Sequence, residues 1–253
     1  MALSKIRRAA GLLVGVCCAT GALAGPPFLT DDPVPVPYRH YEAYVFSSYD
    51  GSAAGVSAVG PALEYNIGAA PELQLHLVVP LAWSSPAAGT SAYGLGDMEL
   101  GVKYRFLDES SAQLQIGIFP IVELPTGSAV RGLGNGQAWY KLPVWVQKSW
   151  GPWTSYGGGG FAVNHAPGMR DYFFGGWLLQ RDLSDRLTLG AEVFTQGADT
   201  ETDHATTIAN FGGYYNFTAG FSLLFSAGHS VAGAVHRVAY LGLYWTWGRV
   251  RST

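Results

Sequence analysis

Residues 72–83 read ELQLHLVVPLAW, a stretch in which an apolar side chain occupies every second position. The odd-numbered positions carry Leu73, Leu75, Leu77, Val79, Leu81 and Trp83. Successive side chains of a β-strand point to opposite faces, so this alternation predicts a strand with one apolar face. That face either belongs to the core of a soluble protein or contacts lipid.

The same alternation recurs along the chain and predicts about twelve strands. It is clearest in GDMELGVKYRFL at 96–107, AQLQIGIFPIVEL at 112–124 and LTLGAEVFTQG at 187–197. Less regular segments lie at 41–49, 56–67, 138–149, 153–163, 172–181, 206–217, 221–229 and 236–247. Most are close to the length of about 9 to 11 residues with which a tilted strand crosses an outer membrane.

The connections between these segments alternate between short turns and loops that are mostly longer. Turns such as 149–152 and 182–185 alternate with loops such as 84–94 and 125–136. Outer-membrane barrels show this asymmetry, with short periplasmic turns and longer external loops. The pattern predicts an all-β fold: a transmembrane antiparallel up-and-down β-barrel of about twelve strands, with ten or fourteen as alternatives.

The composition separates this fold from a soluble β-sandwich, which also alternates apolar and polar residues. Charged residues make up 13% of the chain, whereas about 25% is usual in soluble domains. The polar positions are rich in Gly, Gln, Asn, Ser and Tyr, which suits a confined lumen better than bulk water. A net charge of -3 predicts no nucleic-acid partner.

The first 24 residues predict a secretory signal peptide. Basic residues precede an apolar stretch at 9–19, and Ala22-Leu23-Ala24 predicts cleavage before Gly25. Both cysteines lie in this stretch, so we expect a mature chain without disulfides. We divide the rest into an extended segment at 25–40, the barrel at 41–247 and a short periplasmic tail at 248–253. Three prolines keep 25–40 extended, either as a periplasmic tail or as a plug in the lumen.

Charged and polar side chains of the predicted strands fall on the lumen face, where they avoid the cost of about 2–4 kcal/mol for charge against lipid. The candidate lumen-lining residues are Glu64, Glu72, Gln74, His76, Asp97, Glu99, Lys103, Arg105, Glu123, Lys141 and Glu192.

Counting across one loop predicts how these side chains pair. If Trp83 lies opposite Gly94, then Glu72 faces Arg105 and Gln74 faces Lys103. Glu123 would likewise face Lys141 across the next loop. Mixed signs favour cross-strand ion pairs that brace the wall, with a charged selectivity ring as the alternative.

Nothing in the sequence assembles a catalytic or metal site. His76 has no second ligand at metal-binding spacing, and His229 and Ser230 would point to opposite faces of a strand. GLGNGQ at 132–137 lacks a flanking strand and helix, so it is a loop and not a phosphate cradle. YGGGGF at 156–161 predicts a bend, a bulge or a place of close packing. We expect no enzyme, cofactor or metal, with a lipid hydrolase as a distant alternative.

The stretches PFLTDDPVPVPYRHYEAYVFSS, GLGDMELGVKYRF, ELPTG and WTSYGGGGFAVN resemble the bacterial outer-membrane proteins of the phenol meta-degradation pathway (MetA-pathway) family, also called transporters. The resemblance covers most of the mature chain. It implies a β-barrel in a Gram-negative outer membrane that takes up small aromatic or other hydrophobic compounds.

We therefore expect a passive channel whose partners are outer-membrane lipid, the barrel assembly machinery during insertion, and a small solute. A structural or interaction barrel without conduction is the alternative.

Overall fold

The computed structural model describes residues 27–110 and 113–248. Its strands are β1 His40–Ser52, β2 Gly55–Ala70, β3 Leu73–Pro86, β4 Ala92–Leu95, β5 Met98–Leu107, β6 Gln115–Ile118, β7 Ile121–Leu124, β8 Trp139–Trp150, β9 Trp153–Val163, β10 Tyr172–Ser184, β11 Leu187–Gln196, β12 Thr206–Thr218, β13 Phe221–Gly233 and β14 His236–Gly248. A 3₁₀ helix, Ala129–Arg131, lies between β7 and β8. The predicted signal peptide at 1–24 and the tail beyond residue 248 lie outside the described residues.

These segments close into an antiparallel barrel of twelve strands. β4 and β5 are two parts of one strand, and both pair with β3. β6 and β7 are two parts of another, and both pair with β5 and β8. Because β1 pairs with both β2 and β14, no strand of the barrel has a free edge. The predicted up-and-down barrel is confirmed, and the two-sheet sandwich is excluded.

The barrel buries polar side chains and exposes apolar ones. In β3, Gln74 and His76 are buried inside the barrel, whereas Leu75 and Trp83 are exposed on its outer face. Large apolar side chains that are more than half exposed include Leu63, Leu142, Trp177, Phe211 and Leu241. This distribution is the reverse of that in soluble proteins and fits an outer surface in contact with lipid. No helix among the described residues is long and apolar enough to span a membrane.

Aromatic rings gather on the outer face at both ends of the barrel. We call the end with the short turns the turn end and the opposite one the loop end. At the turn end, Tyr41 stacks on Trp247 with ring centroids 5.9 Å apart. At the loop end, Trp83 lies 6.3 Å from Tyr93. Rings at these two levels match the aromatic girdles of barrels that cross a bilayer.

Residues 27–36, which we call the plug segment, lie inside the barrel, and residues 37–39 are exposed just before β1. Thr30 and Asp32 are completely buried. Phe28 packs in a buried cluster with Tyr156 and Leu178. Residues 27–36 of the extended segment before β1 thus form a plug and not an external tail.

The glycine run at 157–160 lies within β9, where the barrel wall is closely packed. Gly158 has φ +148°, and a Cβ atom there would lie 2.1 Å from the carbonyl oxygen of Val144. Trp145 on the neighbouring strand packs over the same residue. Of the three expectations for YGGGGF, close packing against the backbone is the one that the structure supports.

Candidate solute path in the barrel lumen

A cavity of about 1270 Å³ occupies the lumen beside the plug segment. Its lining reaches Asp185 and Ala219 in turns at the turn end. Toward the loop end it reaches Tyr172 and Tyr240, near the ends of β10 and β14. The cavity therefore extends along most of the barrel axis.

One wall of the lumen carries a row of polar side chains, joined by hydrogen bonds and ion pairs, that crosses β1, β2, β3, β5, β7 and β8. We call this row the polar ladder; its members are Glu42, Glu64, Asn66, His76, Glu99, Glu123 and Lys141. Asn66 Nδ2 donates to Glu64 Oε1 at 2.8 Å. His76 Nε2 lies 2.8 Å from Glu99 Oε1. Lys141 Nζ lies 3.1 Å from Glu123 Oε1 and 3.7 Å from Glu99 Oε2.

Both ring nitrogens of His76 have hydrogen-bond partners in the polar ladder. Nε2 faces the carboxylate of Glu99, which only accepts. Nδ1 lies 2.7 Å from Asn66 Oδ1, and the Asn66 amide nitrogen is directed at Glu64 and Glu42. An Asn66 flip would place its oxygen against two carboxylates. An imidazolium at His76 would donate to Glu99 and Asn66 at once.

On one side of the lumen, the plug segment is held by Lys103 and Gln74, which are opposite each other on β5 and β3. Lys103 Nζ lies 2.9 Å from Asp31 Oδ1 and 3.6 Å from Asp32 Oδ2. The Val36 N–H donates to Gln74 Oε1 at 2.9 Å.

Across the lumen, the carboxylate of Glu192 accepts the backbone N–H groups of Leu29 and Thr30. Ser226 Oγ donates to the carbonyl of Pro27 at 2.6 Å. Contacts on opposite walls fix the segment across the barrel.

Aromatic side chains form the remaining walls of the cavity. On β1 and β14, Phe46 stacks on Tyr240 with centroids 5.2 Å apart, and the rings of Tyr44 and Tyr244 are 4.7 Å apart. On β8, β10 and β11, the lining includes Trp145, Phe174 and Phe194. The path thus has one charged wall and two aromatic ones.

The predicted pair of Glu72 and Arg105 forms. The register from which we predicted it is wrong by one residue near Trp83, at the loop end of β3. Trp83 pairs with Tyr93, not with Gly94. Gln74 pairs with Lys103 as predicted, because the interruption between β4 and β5 adds one residue. Arg105 Nε donates to Glu72 Oε2 at 2.6 Å, and Arg105 also pairs with Asp108.

Glu123 and Lys141 were expected to lie directly opposite each other on neighbouring strands. They do not, but their side chains are still in contact. Lys141 is opposite Ile121, and Glu123 is opposite Trp139. The two side chains still meet because a diagonal neighbour on a sheet lies within reach of a long side chain. The result is the 3.1 Å contact in the polar ladder.

The candidate lumen residues separate into groups with different surroundings. Glu64, His76, Glu99, Glu123 and Lys141 meet in the polar ladder. Gln74, Lys103 and Glu192 contact the plug segment. Glu72 and Arg105 pair at the turn end.

Asp97 belongs to none of these groups. Its carboxylate accepts the N–H of Gly127 at 2.8 Å and the N–H of Asn135 at 2.6 Å. It therefore holds the loop between β7 and β8 at the loop end.

The sequence analysis did not predict Glu42 or the aromatic side chains as lumen-lining residues. Glu42 accepts hydrogen bonds from Tyr44, Tyr244 and Asn66. The aromatic walls were also missed. Their signal was present in the alternation itself, since Tyr44 and Phe46 flank the outward Val45, and Tyr240 and Tyr244 stand two positions from the inward Gly242.

No nucleophile and base come together in the described part of the chain. His236 Nδ1 lies 2.8 Å from Asp50, but Ser230 Oγ accepts the backbone N–H of His236 and does not contact its ring. Within residues 27–110 and 113–248, no hydroxyl side chain is hydrogen-bonded to a histidine ring. Those residues also contain no metal-binding cluster of three or more His, Cys, Asp or Glu.

Solved outer-membrane barrels share this fold. An outer-membrane channel from Pseudomonas putida F1 has a TM-score of 0.68 at 16% identity, over 85% of this chain and 98% of that one. The KdgM porin, solved in complex with disordered oligogalacturonate, has a TM-score of 0.58 at 10% identity, over 81% and 99%. The NanC porin has a TM-score of 0.57 at 7% identity, over 80% and 98%. The chain has the fold of outer-membrane channels.

Sequence comparisons add no family to this result. No protein-family model matches the chain, and no curated protein matches it.

Proposed function

We propose that this protein is a channel of the Gram-negative outer membrane through which small solutes, among them aromatic or hydrophobic ones, diffuse passively. The observation that supports this most directly is the cavity of about 1270 Å³, which extends from the turn end past the plug segment toward the loop end. Its aromatic walls offer contact to apolar solute groups, and its polar ladder offers hydrogen bonds.

Outer-membrane lipid as the surrounding solvent belongs to the same proposal. The exposed apolar belt and the two aromatic girdles support it. We further propose that the barrel assembly machinery inserts the chain, with β14 as the last strand. The resemblance to the phenol meta-degradation family supports small aromatic compounds as solutes.

Conductance of the purified protein in planar bilayers tests the proposal, with folding checked first by heat-modifiable gel mobility. We expect discrete conductance steps for the wild-type chain. A variant lacking residues 27–36 should give larger steps, because those residues occupy the lumen. If both forms fold and neither conducts ions nor admits solutes into liposomes, the barrel is a structural or interaction protein and the proposal is wrong.

A further inference from the structure

The lysines of the lumen are each matched by more than one carboxylate. Lys103 contacts both Asp31 and Asp32. Lys141 contacts both Glu99 and Glu123. In each group one ammonium faces two carboxylates, so neither group leaves a positive charge for a passing anion.

Glu42 lines the cavity and has no cationic partner within ion-pair distance among the described residues. Its three hydrogen-bond donors are all neutral: Tyr44 Oη at 3.1 Å, Tyr244 Oη at 2.8 Å and Asn66 Nδ2 at 3.5 Å. No Lys, Arg or His of the described residues lies within 4 Å of it. Three donors directed at one carboxylate offset part of the cost of burying its charge.

The neighbouring carboxylate of Glu64 adds to this excess of negative charge. Among the described residues, the one basic side chain within 4 Å of it is His76, at 3.5 Å, and that ring also contacts Glu99 at 2.8 Å. Both Glu42 and Glu64 line the cavity. At the turn end, the lining residues Asp185 and Arg186 have opposite charges. The charge of the solute path is therefore negative beside β1 and β2.

Aromatic faces stand next to this negative region. Phe46 and Tyr240 are stacked, Tyr44 and Tyr244 form a tilted pair, and all four line the cavity. A ring face attracts cations through its quadrupole, and it also packs against apolar groups. The combination suits an organic cation with an apolar body, whose charged end would lie at Glu42.

We propose that the lumen selects cations over anions, with Glu42 and Glu64 as the selecting carboxylates, and that it favours ammonium compounds with an apolar body. The inference rests on the proposed channel function and narrows it to a charge class of solute.

The reversal potential in a KCl gradient at pH 8 tests the charge selectivity. We expect K⁺ to be more permeant than Cl⁻ through the wild-type channel. Glu42→Gln keeps an acceptor oxygen but removes the charge, and should lower the K⁺ to Cl⁻ permeability ratio roughly twofold or more. Glu201→Gln, in the exposed loop between β11 and β12, removes the same charge away from the lumen and should leave the ratio unchanged.

Block of the K⁺ current by added ammonium ions tests the aromatic contribution. Benzyltrimethylammonium should block at lower concentration than tetramethylammonium, and Phe46→Ala should remove most of that difference. Leu241→Ala, on the outer face of β14, is the matched control. Equal block by the two ions would contradict the aromatic part of the inference.

The outcomes separate this inference from the function on which it rests. A channel that conducts without preferring K⁺, or whose preference survives Glu42→Gln, overturns the inference and leaves the channel function standing. Failure of both the wild-type and plug-deleted proteins to conduct overturns both. If Glu42→Gln does not fold, the sign of the wild-type reversal potential decides.

Discussion

The ammonium of Lys103 lies 2.9 Å from the carboxylate of Asp31 and so joins the barrel wall to the plug segment. The Lys103 side chain is only 5% exposed, and its second carboxylate partner, Asp32, is completely buried. Removing one partner of a buried ion pair costs about 3–5 kcal/mol, because the other charge remains without compensation. The position of the plug therefore depends on this lysine.

We predict that Lys103→Met releases the plug segment and raises single-channel conductance toward that of the plug-deleted protein. A cysteine introduced at Thr30, which is completely buried, should react with a water-soluble thiol reagent faster in this variant than in the wild-type background. Lys148→Met is the control, since Lys148 pairs with Glu109 near the turns and away from the plug. Unchanged conductance and labelling in Lys103→Met would show that the backbone bonds alone hold the plug.

The two faces of β3 should respond differently to the same new charge. Leu77 points outward between Tyr65 and Leu100. Leu77→Arg should lower the free energy of unfolding by about 2–4 kcal/mol if the site is near the bilayer midplane. His76→Arg should cost less, because the carboxylates of Glu64 and Glu99 face that position inside the lumen. Denaturant titration in lipid vesicles measures both costs, and equal costs would argue against lipid at the outer face.

Asp97 has a structural role at the loop end that is separate from the lumen. Asp97→Ala removes the acceptor for the N–H groups of Gly127 and Asn135. Hydrogen bonds to a charged group contribute about 1.5–3 kcal/mol, so local opening of this loop should become roughly tenfold more frequent or more. Trypsin cleavage at the exposed Arg131 measures that opening.

The matched variant Asp97→Asn keeps one acceptor oxygen, so its cleavage rate should fall between those of the wild type and Asp97→Ala. Cleavage that is equally slow in all three proteins would mean that other contacts, such as Arg131 with the Tyr93 carbonyl, hold the loop.

The alternating pattern located all twelve strands because the two faces of each strand meet opposite environments. The pairing of Glu72 with Arg105 also followed from counting, since the register below the interruption of β4 and β5 is regular. Counting could not reveal the interruption itself, which moved the partner of Trp83 to Tyr93.

The position of the plug segment in the lumen could not be predicted from the sequence, for a different reason. Three prolines specify an extended backbone but no contact partner. Thr30 finds its acceptor in Glu192, which is 162 residues away along the chain. Only the closed barrel brings the two together.

The aromatic walls were missed because the sequence shows a tyrosine of the inner face and a tyrosine of a girdle as the same residue type. Only the position within the alternation distinguishes them.

The glycine run of β9 gives the sharpest test of the barrel wall. A Cβ atom at position 158 would lie 2.1 Å from the Val144 carbonyl oxygen, and the residue has φ +148°. Both the clash and the backbone conformation exclude a side chain, because a carbonyl in a paired strand cannot move without breaking the β8–β9 hydrogen bonds. Gly158→Ala should therefore abolish the heat-modifiable folded form.

Gly168→Ala isolates the conformational part of that effect. Gly168 also has positive φ, +81°, but no atom lies within 4 Å of a Cβ built there. That variant should fold and lose only about 1 kcal/mol, the cost of holding alanine in a left-handed conformation. If Gly158→Ala were as stable as Gly168→Ala, β8 and β9 would have to be farther apart than the register of Trp145 opposite Gly158 requires.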